Sequence, residues 1–472
     1  MLKKKSDCER AMNKKQSIKD SLSKSFFPLV FFLIFACSLG SLYVTNIGPK
    51  TLGDYDMHLF NTYALATGQV KGSFEADSDS HNMKKMVIHG SKSYLSREGA
   101  NWAYENSVIN PFQKDENLDL QVKSFNGPNT STKELVRTQY PMINWMFPAV
   151  GLKVGMLLKL GTFQAWTLAR IANLMSYVFI MALSITLLPK GKWLFSAIGS
   201  FPLSVFLASS VSADATNISV TALFVAFILN LKKSSTLNNK ISHTEIAFLM
   251  LFTVIFFNLK VAYVPVLLLV FLLPNKFFSI RKKLLAGSGS VLIGLVSYFL
   301  WSKTFSTVLT SFYGLQDNVS FVKHHLISAF FACWNFALNT PLYFLSAIGT
   351  DSAGAKLSAL TAMFGIFILV LSIIFNYNSF SGNDNIKLTS RISKYFPIIL
   401  AVTVYFAVLL LTLFVLLVTW TKVYPGGIDK TYDVSDIKGL QMRYFLPLMF
   451  LSVLFYYVDD SCEVSKSERK NG

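Results

Sequence analysis

Four side chains able to do acid–base or ligand chemistry fall within five positions, Asp54, Tyr55, Asp56 and His58, in the stretch "GPKTLGDYDMHLF" that begins at Gly48. An aspartate can take a proton from a hydroxyl when it is positioned or desolvated for the task. Two acids at i and i+2 can also share a divalent cation, Mg or Mn, with phosphate oxygens. His58 can orient one of the acids or bind substrate. The bland alternative is a solvated turn: Gly53-Asp54 is good turn chemistry, and a lone loop histidine is ordinarily hydrated.

Further charges stand at the ends of apolar runs. Lys260 lies between "FLMLFTVIFFN" and "VAYVPVLLLVFLL". A lysine held inside a bilayer costs roughly 2.5–3.5 kcal/mol, so such residues tend to be functional, although a lysine at a turn can simply snorkel. Arg170 and Arg443 stand near the ends of two other apolar runs. Arginine grips phosphate with a planar fork, and it also serves as a helix-end anchor. Asp214 follows Ser209, Ser210 and Ser212. It is suited to pairing with a cation or accepting from hydroxyls, or it is an ordinary polar turn.

The elements that must position these residues are membrane spans. The chain has 472 residues, 52% hydrophobic and only 15% charged, with 42 phenylalanines. A soluble chain carries about 25% charged residues. The first apolar run, 26–47, is longer than a signal-peptide core and reads as an uncleaved first span. Further candidate spans are 164–188, 193–210, 215–231, 244–258, 261–274, 285–302, 356–376, 396–419 and 442–457. The segment 323–350 is apolar enough to touch lipid, as a re-entrant or interfacial helix or as two short spans.

Basic clusters recur on every second connection: Lys190 and Lys192; Lys232, Lys233 and Lys240; Arg281, Lys282 and Lys283; Lys387, Arg391 and Lys394; Lys466, Arg469 and Lys470. The positive-inside rule then places both termini in the cytoplasm with an even number of spans, about ten. The net charge of +18 is mostly topology. No basic face suggests a nucleic-acid partner. Cys8, Cys37, Cys333 and Cys462 form neither a disulfide framework nor a metal pattern. The expected organisation is a basic tail (1–25), a first span (26–47), an outer loop ending in an interfacial helix (48–163), a bundle (164–457) and a second tail (458–472). The soluble part of the loop, 48–139, is almost neutral, with ten basic and eleven acidic residues. In the stretch 137–161, which holds 142–160, Pro141 and Pro148 come early and Lys153 and Lys159 interrupt the apolar run. A helix lying in the interface fits that pattern better than a tilted span.

At this point the chain resembles the GT-C superfamily of membrane glycosyltransferases. It is more closely similar to the bacterial family called domain of unknown function 2142. Asp54 and His58 keep the Asp-to-His separation of that family's Pro-Asp-Glu-x-x-His-type motif, with Tyr55 where Glu is usual. "YPMINWMFP" from Tyr140, "ARIANLMS" from Ala169, "FPLSVFLASSVSAD" ending at Asp214, "LKVAYVPVLLL" and "GLQMRYFLPL" from Gly439 match in order. The resemblance covers nearly the whole chain. It implies an all-α, GT-C-like bundle of about 10–12 helices with one large extracytoplasmic loop.

It also implies transfer of a sugar from a polyprenyl-phosphate donor to a cell-surface glycan or glycolipid. Asp54, Asp56 and His58 would then be catalytic, with Asp54 and Asp56 the ligands of any divalent cation. Lys260, Arg170 and Arg443 would hold the lipid phosphate. Tyr140, Asp214, Tyr263 and Gln441 would bind substrate. Tyr140, Trp145 and Trp334 either stack on sugar rings or belong to the interfacial aromatic belt, the commoner role. The sequons at Asn129, Asn217 and Asn318 carry no assignment. Two other classes stay open: a transporter or flippase of lipid-linked glycan, and a non-catalytic scaffold of an envelope assembly complex.

Overall fold

The computed structural model describes residues 25–46, 55–69, 73–76, 84–88, 134–136, 141–235, 240–305, 315–347, 391–419, 421, 437 and 440–457. Asp54, Tyr140, the expected span at 356–376 and both tails lie outside them. The chain is an all-α polytopic membrane protein. Its helices are α1 (Ser25–Asn46), α2 (Tyr55–Thr67), α3 (Met146–Leu157), α4 (Thr162–Leu187), α5 (Lys192–Gly199), α6 (Pro202–Ala208), α7 (Asp214–Ser234), α8 (His243–Leu259), α9 (Ile280–Phe305), α10 (Leu315–His324), α11 (Leu326–Ala347), α12 (Arg391–Thr419) and α13 (Leu446–Met449). Stretches of 3₁₀ helix cover Met142–Trp145, Val261–Leu272, Met442–Phe445 and Phe450–Tyr457. Among the described residues five helices are long and apolar enough to cross a membrane, in α1, α4, α7, α9 and α12, and five apolar helices are shorter.

The chain between α1 and α3 adds a feature the sequence pattern did not suggest, a small antiparallel sheet. Its strands are β1 (Ser73–Ala76), β2 (Lys84–Ile88) and β3 (Glu134–Val136). Ser73 pairs with Val87, and Ile88 with Glu134.

Three expected spans are not continuous α-helices. The run 193–210 is two short helices, α5 and α6, broken before Pro202. Proline disfavours a helical residue before it, and Phe201 is accordingly extended (φ −58, ψ 132). The break is buried, so its backbone needs internal partners. Tyr177 Oη donates to the Gly199 carbonyl at 2.8 Å, and Phe201 N to the Ile198 carbonyl at 3.2 Å. The run 261–274 winds as 3₁₀ helix around Pro265. The run 442–457 alternates 3₁₀, α13 and 3₁₀, with Pro447 at the start of α13. The segment 323–350 carries one 22-residue helix, α11, rather than two short spans.

Small residues fix the closest helix pair. A Cβ on Gly151 would stand 2.4 Å from the Leu168 carbonyl, and one on Gly155 2.7 Å from Ala165 Cα. The "GLKVG" spacing therefore lays α3 flat along α4, backbone against backbone. At 12 residues α3 reaches about 18 Å, short of a hydrocarbon core of about 30 Å. Lys153 and Lys159 are exposed. At the far end, Lys192 Nζ donates to Ser25 Oγ and to the carbonyls of Ile185 and Thr186, which ties the start of α1 to the end of α4. A capping box, Ser242 with Glu245, starts α8.

Candidate functional site

Part of the opening acidic stretch is the beginning of a helix; Gly53 and Asp54 lie outside the described residues. Tyr55 and Asp56 open α2, which ends at Gly68 with φ +75, the left-handed position that glycine adopts freely. His58 is 3% exposed and Asn61 is 0% exposed. The helix packs on Met142–Trp145 and on α3. There the indole of Trp145 donates from Nε1 to His58 Nδ1 at 2.9 Å. An indole N–H can only donate, so Nδ1 is the acceptor and the ring proton belongs on Nε2. The Ala213 N–H reaches the same Nδ1 at 3.5 Å. Trp145 itself is fully buried. That removes it from the interfacial belt and from stacking on a ligand at the surface. Trp334, half-buried, stacks on Phe330 at 6.1 Å.

Ala213 leads into Asp214, the first residue of α7, so its carboxylate sits at the positive end of that helix. Ser212 Oγ accepts from the Asp214 N–H at 3.1 Å and lies 3.4 Å from Asp214 Oδ2. Arg443 Nε stands 3.1 Å from the same oxygen, a charge pair rather than an aligned hydrogen bond. The Arg443 side chain is 2% exposed and that of Asp214 10%. Lys260 also acts on the Asp214 charge. Its Nζ lies 3.4 Å from the centre of the Tyr444 ring and 5.6 Å from that of Tyr263, close enough for cation–π attraction. Arg443 Cζ is 5.7 Å from the Tyr444 ring. Tyr263 Oη donates to the Tyr444 carbonyl at 2.7 Å and thereby pins the 3₁₀ turn that presents Arg443. Gln441, half-buried, precedes that turn and accepts from the Tyr444 N–H through its carbonyl.

Asn144 joins the parts. Its amide nitrogen lies 2.8–3.1 Å from the carbonyls of Pro141, Asn258 and Leu259, the last adjoining Lys260. Thr216 Oγ1 approaches the Asn144 carbonyl at 3.5 Å. His58, Trp145, Asp214, Lys260, Tyr263, Gln441 and Arg443 are thus linked, although up to 385 positions separate them in the chain. Two cations and one anion lie together in a largely buried setting, with a formal charge of +1.

Arg170 does not join them. Its Nε donates to the Ser209 carbonyl at 2.6 Å, and its two terminal nitrogens to the Val44 and Tyr43 carbonyls at 3.2 and 2.8 Å. The last carbonyls of a helix lack internal partners, and Arg170 supplies them for the end of α1. These bonds make Arg170, expected to hold the lipid phosphate, a brace for the end of α1. Asn173, one turn along α4, does similar work on the carbonyls of Ser210 and Ser212.

The segments that converge are those whose order suggested a family. A family model described as predicted membrane protein (DUF2142) matches residues 37–452, nearly nine-tenths of the chain. The chain belongs to the DUF2142 family. No curated protein and no solved structure matches it. The matched residues of this DUF2142 chain include every part of the cluster just described, from His58 to Tyr444.

Four contributors went unnoticed in the sequence: Asn61, Asn144, Thr216 and Tyr444. Asn144 and Tyr444 lie inside quoted motifs, beside Trp145 and Arg443. A polar residue within an otherwise apolar stretch was the available signal. Asn61 and Thr216 carried no motif at all.

Proposed function

We propose that this protein is an inverting membrane glycosyltransferase of GT-C type. It would move a sugar from a polyprenyl-phosphate donor to a cell-surface glycan or glycolipid at the outer face of the membrane, with both termini in the cytoplasm. One observation carries this reading: Arg443 stands 3.1 Å from the Asp214 carboxylate at the start of the spanning helix α7, and Lys260 shares the Tyr444 ring with Arg443. A buried cluster with net positive charge suits an anion, and a lipid phosphate reaches such a depth. The transporter reading calls for ionisable groups spread through the bilayer. The cations of this cluster stand at helix ends.

In the reaction, an acceptor hydroxyl attacks the anomeric carbon as the bond to the phosphate oxygen breaks. The electron pair leaves with the phosphate, and Asp54 takes the hydroxyl proton. Negative charge grows on the phosphate, and Arg443 and Lys260 stabilise it where it develops. Asp214 holds Arg443 in place until then. Asp56 assists or, with Asp54, holds Mg or Mn. Arg170 keeps the scaffold role that its hydrogen bonds support.

Asp54→Asn and Asp56→Asn test the reading, with the sugar content of the surface glycan measured at equal protein level. Transfer should fall by roughly 10² to 10⁴ in the variant that lacks the base. Full glycan modification in both variants would leave the scaffold reading in its place.

A further inference from the structure

The proposed reaction uses the charges of the cluster but not two neutral amides, Asn61 and Asn144. Asn61 is 0% exposed, and neither its Oδ1 nor its Nδ2 has a hydrogen-bond partner. Asn144 is 1% exposed, and its Oδ1 likewise has none, although its nitrogen faces three carbonyls. Buried polar groups are nearly always bonded, so each exception calls for an explanation. An apolar residue of similar shape would avoid the desolvation penalty altogether.

The two amides stand on elements that pack together, Asn61 on α2 and Asn144 in the Met142–Trp145 turn. Asn61 is three residues after His58 on α2, so the two share a helix face. His58 bonds Trp145, the neighbour of Asn144. Asn144 bonds the Leu259 carbonyl, next to Lys260. The amides therefore belong to the side of the cluster that α2 and the Met142–Trp145 turn build.

We propose that Asn61 and Asn144 form a hydroxyl-recognition subsite that reads the sugar ring of the donor. An amide offers an acceptor and two donors in one plane, which matches neighbouring hydroxyls on a pyranose. The Asn144 oxygen accepts one hydroxyl hydrogen. Asn61 exchanges a donor and an acceptor with a second hydroxyl or with two adjacent ones. A site built to bond hydroxyls rejects an analogue that lacks them, because its own buried groups are then left without partners. Sugar choice thus sits in α2 and the Met142–Trp145 turn, apart from the phosphate grip. This inference rests on the transferase reading proposed above.

The test uses the full chain in lipid nanodiscs. Binding is measured for polyprenyl phosphate without sugar and for polyprenyl phosphates carrying glucose, galactose, mannose or N-acetylglucosamine. The wild type should bind the bare lipid phosphate and bind one sugar-bearing form at least tenfold tighter. Asn61→Leu should keep the affinity for the bare lipid, lose that increment, and melt at the same or a higher temperature. Asn61→Gln keeps the amide's acceptor and donors one methylene farther out and serves as the second variant, with an altered preference among the sugars. If wild-type protein binds no polyprenyl phosphate, the transferase reading fails and the subsite falls with it. If it binds the bare lipid but shows no sugar increment, or the same increment in Asn61→Leu, only the subsite is overturned. A marked drop in melting temperature for Asn61→Leu with the increment intact would assign the amide to buried water and scaffold.

Discussion

Two arginines, Arg170 and Arg443, are almost equally buried, at 3% and 2% exposure, yet they meet different partners. Arg170 is surrounded by backbone carbonyls from α1 and from the segment after α6. Those oxygens are fixed by the helices they end, and no ligand can replace them. Arg443 faces a side-chain carboxylate, with a lysine and two tyrosine rings nearby. A second anion can share that arginine without unravelling a helix. Burial therefore does not separate a structural cation from a functional one. The partner does.

The largest expected effect breaks the brace. Arg170→Met keeps the apolar stem and removes three charge-assisted hydrogen bonds, each contributing roughly 1.5–3 kcal/mol. The carbonyls of Tyr43, Val44 and Ser209 would then lack a buried donor. The variant should accumulate poorly or melt far below wild type in detergent. Normal accumulation with an unchanged melting curve would erase the contrast between the two arginines.

Arg443→Gln should cost less in the end, because its partner can be neutralised too. Alone, it leaves Asp214 buried beside a neutral amide, a loss of about 3–5 kcal/mol for a fully buried pair. Adding Asp214→Asn should return most of that stability while leaving donor binding lost. If the double variant is no more stable than Arg443→Gln, the ion pair is not what holds the turn Met442–Phe445. Tyr263 would then be the anchor to examine.

How far the sequence showed this arrangement differs between charges and backbone. Asp214, Lys260 and Arg443 were legible because a charge at the edge of an apolar run has few reasons to be there. Their meeting was foreshadowed by motif order alone. The break before Pro202 and the 3₁₀ winding around Pro265 were hidden, because hydropathy averages over a proline while hydrogen bonding does not. The role of Arg170 was illegible for a related reason: its partners are carbonyls, which every residue carries. The helix at Tyr55 was masked by Gly53-Asp54, a good turn signal that here immediately precedes a helix.

Lys260→Ala removes the cation that sits over the Tyr444 and Tyr263 rings and should weaken binding of polyprenyl phosphate by roughly ten- to a hundred-fold. Native mass spectrometry of lipid retention would read this. Equal retention by wild type and variant would move the phosphate away from Lys260 and leave Arg443 without its companion.

The smallest effect sharpens the comparison on a neutral group. Trp145→Phe fills most of the same volume but removes the N–H that reaches His58 Nδ1 at 2.9 Å. A neutral hydrogen bond of this kind contributes about 1 kcal/mol net. If His58 is a scaffold residue like Arg170, stability should fall by about that amount and nothing else should change. If it belongs with Arg443, losing the indole donor should also free the ring to shift its proton from Nε2 to Nδ1. The Ala213 N–H at 3.5 Å is too long to prevent that by itself. Nitrogen-15 NMR of histidine-labelled protein distinguishes the tautomers directly. The expected result is a mixture of tautomers in Trp145→Phe, a single Nε2–H form in wild type, and a loss of transfer larger than the loss of stability. A single tautomer in both proteins would place His58 with the scaffold.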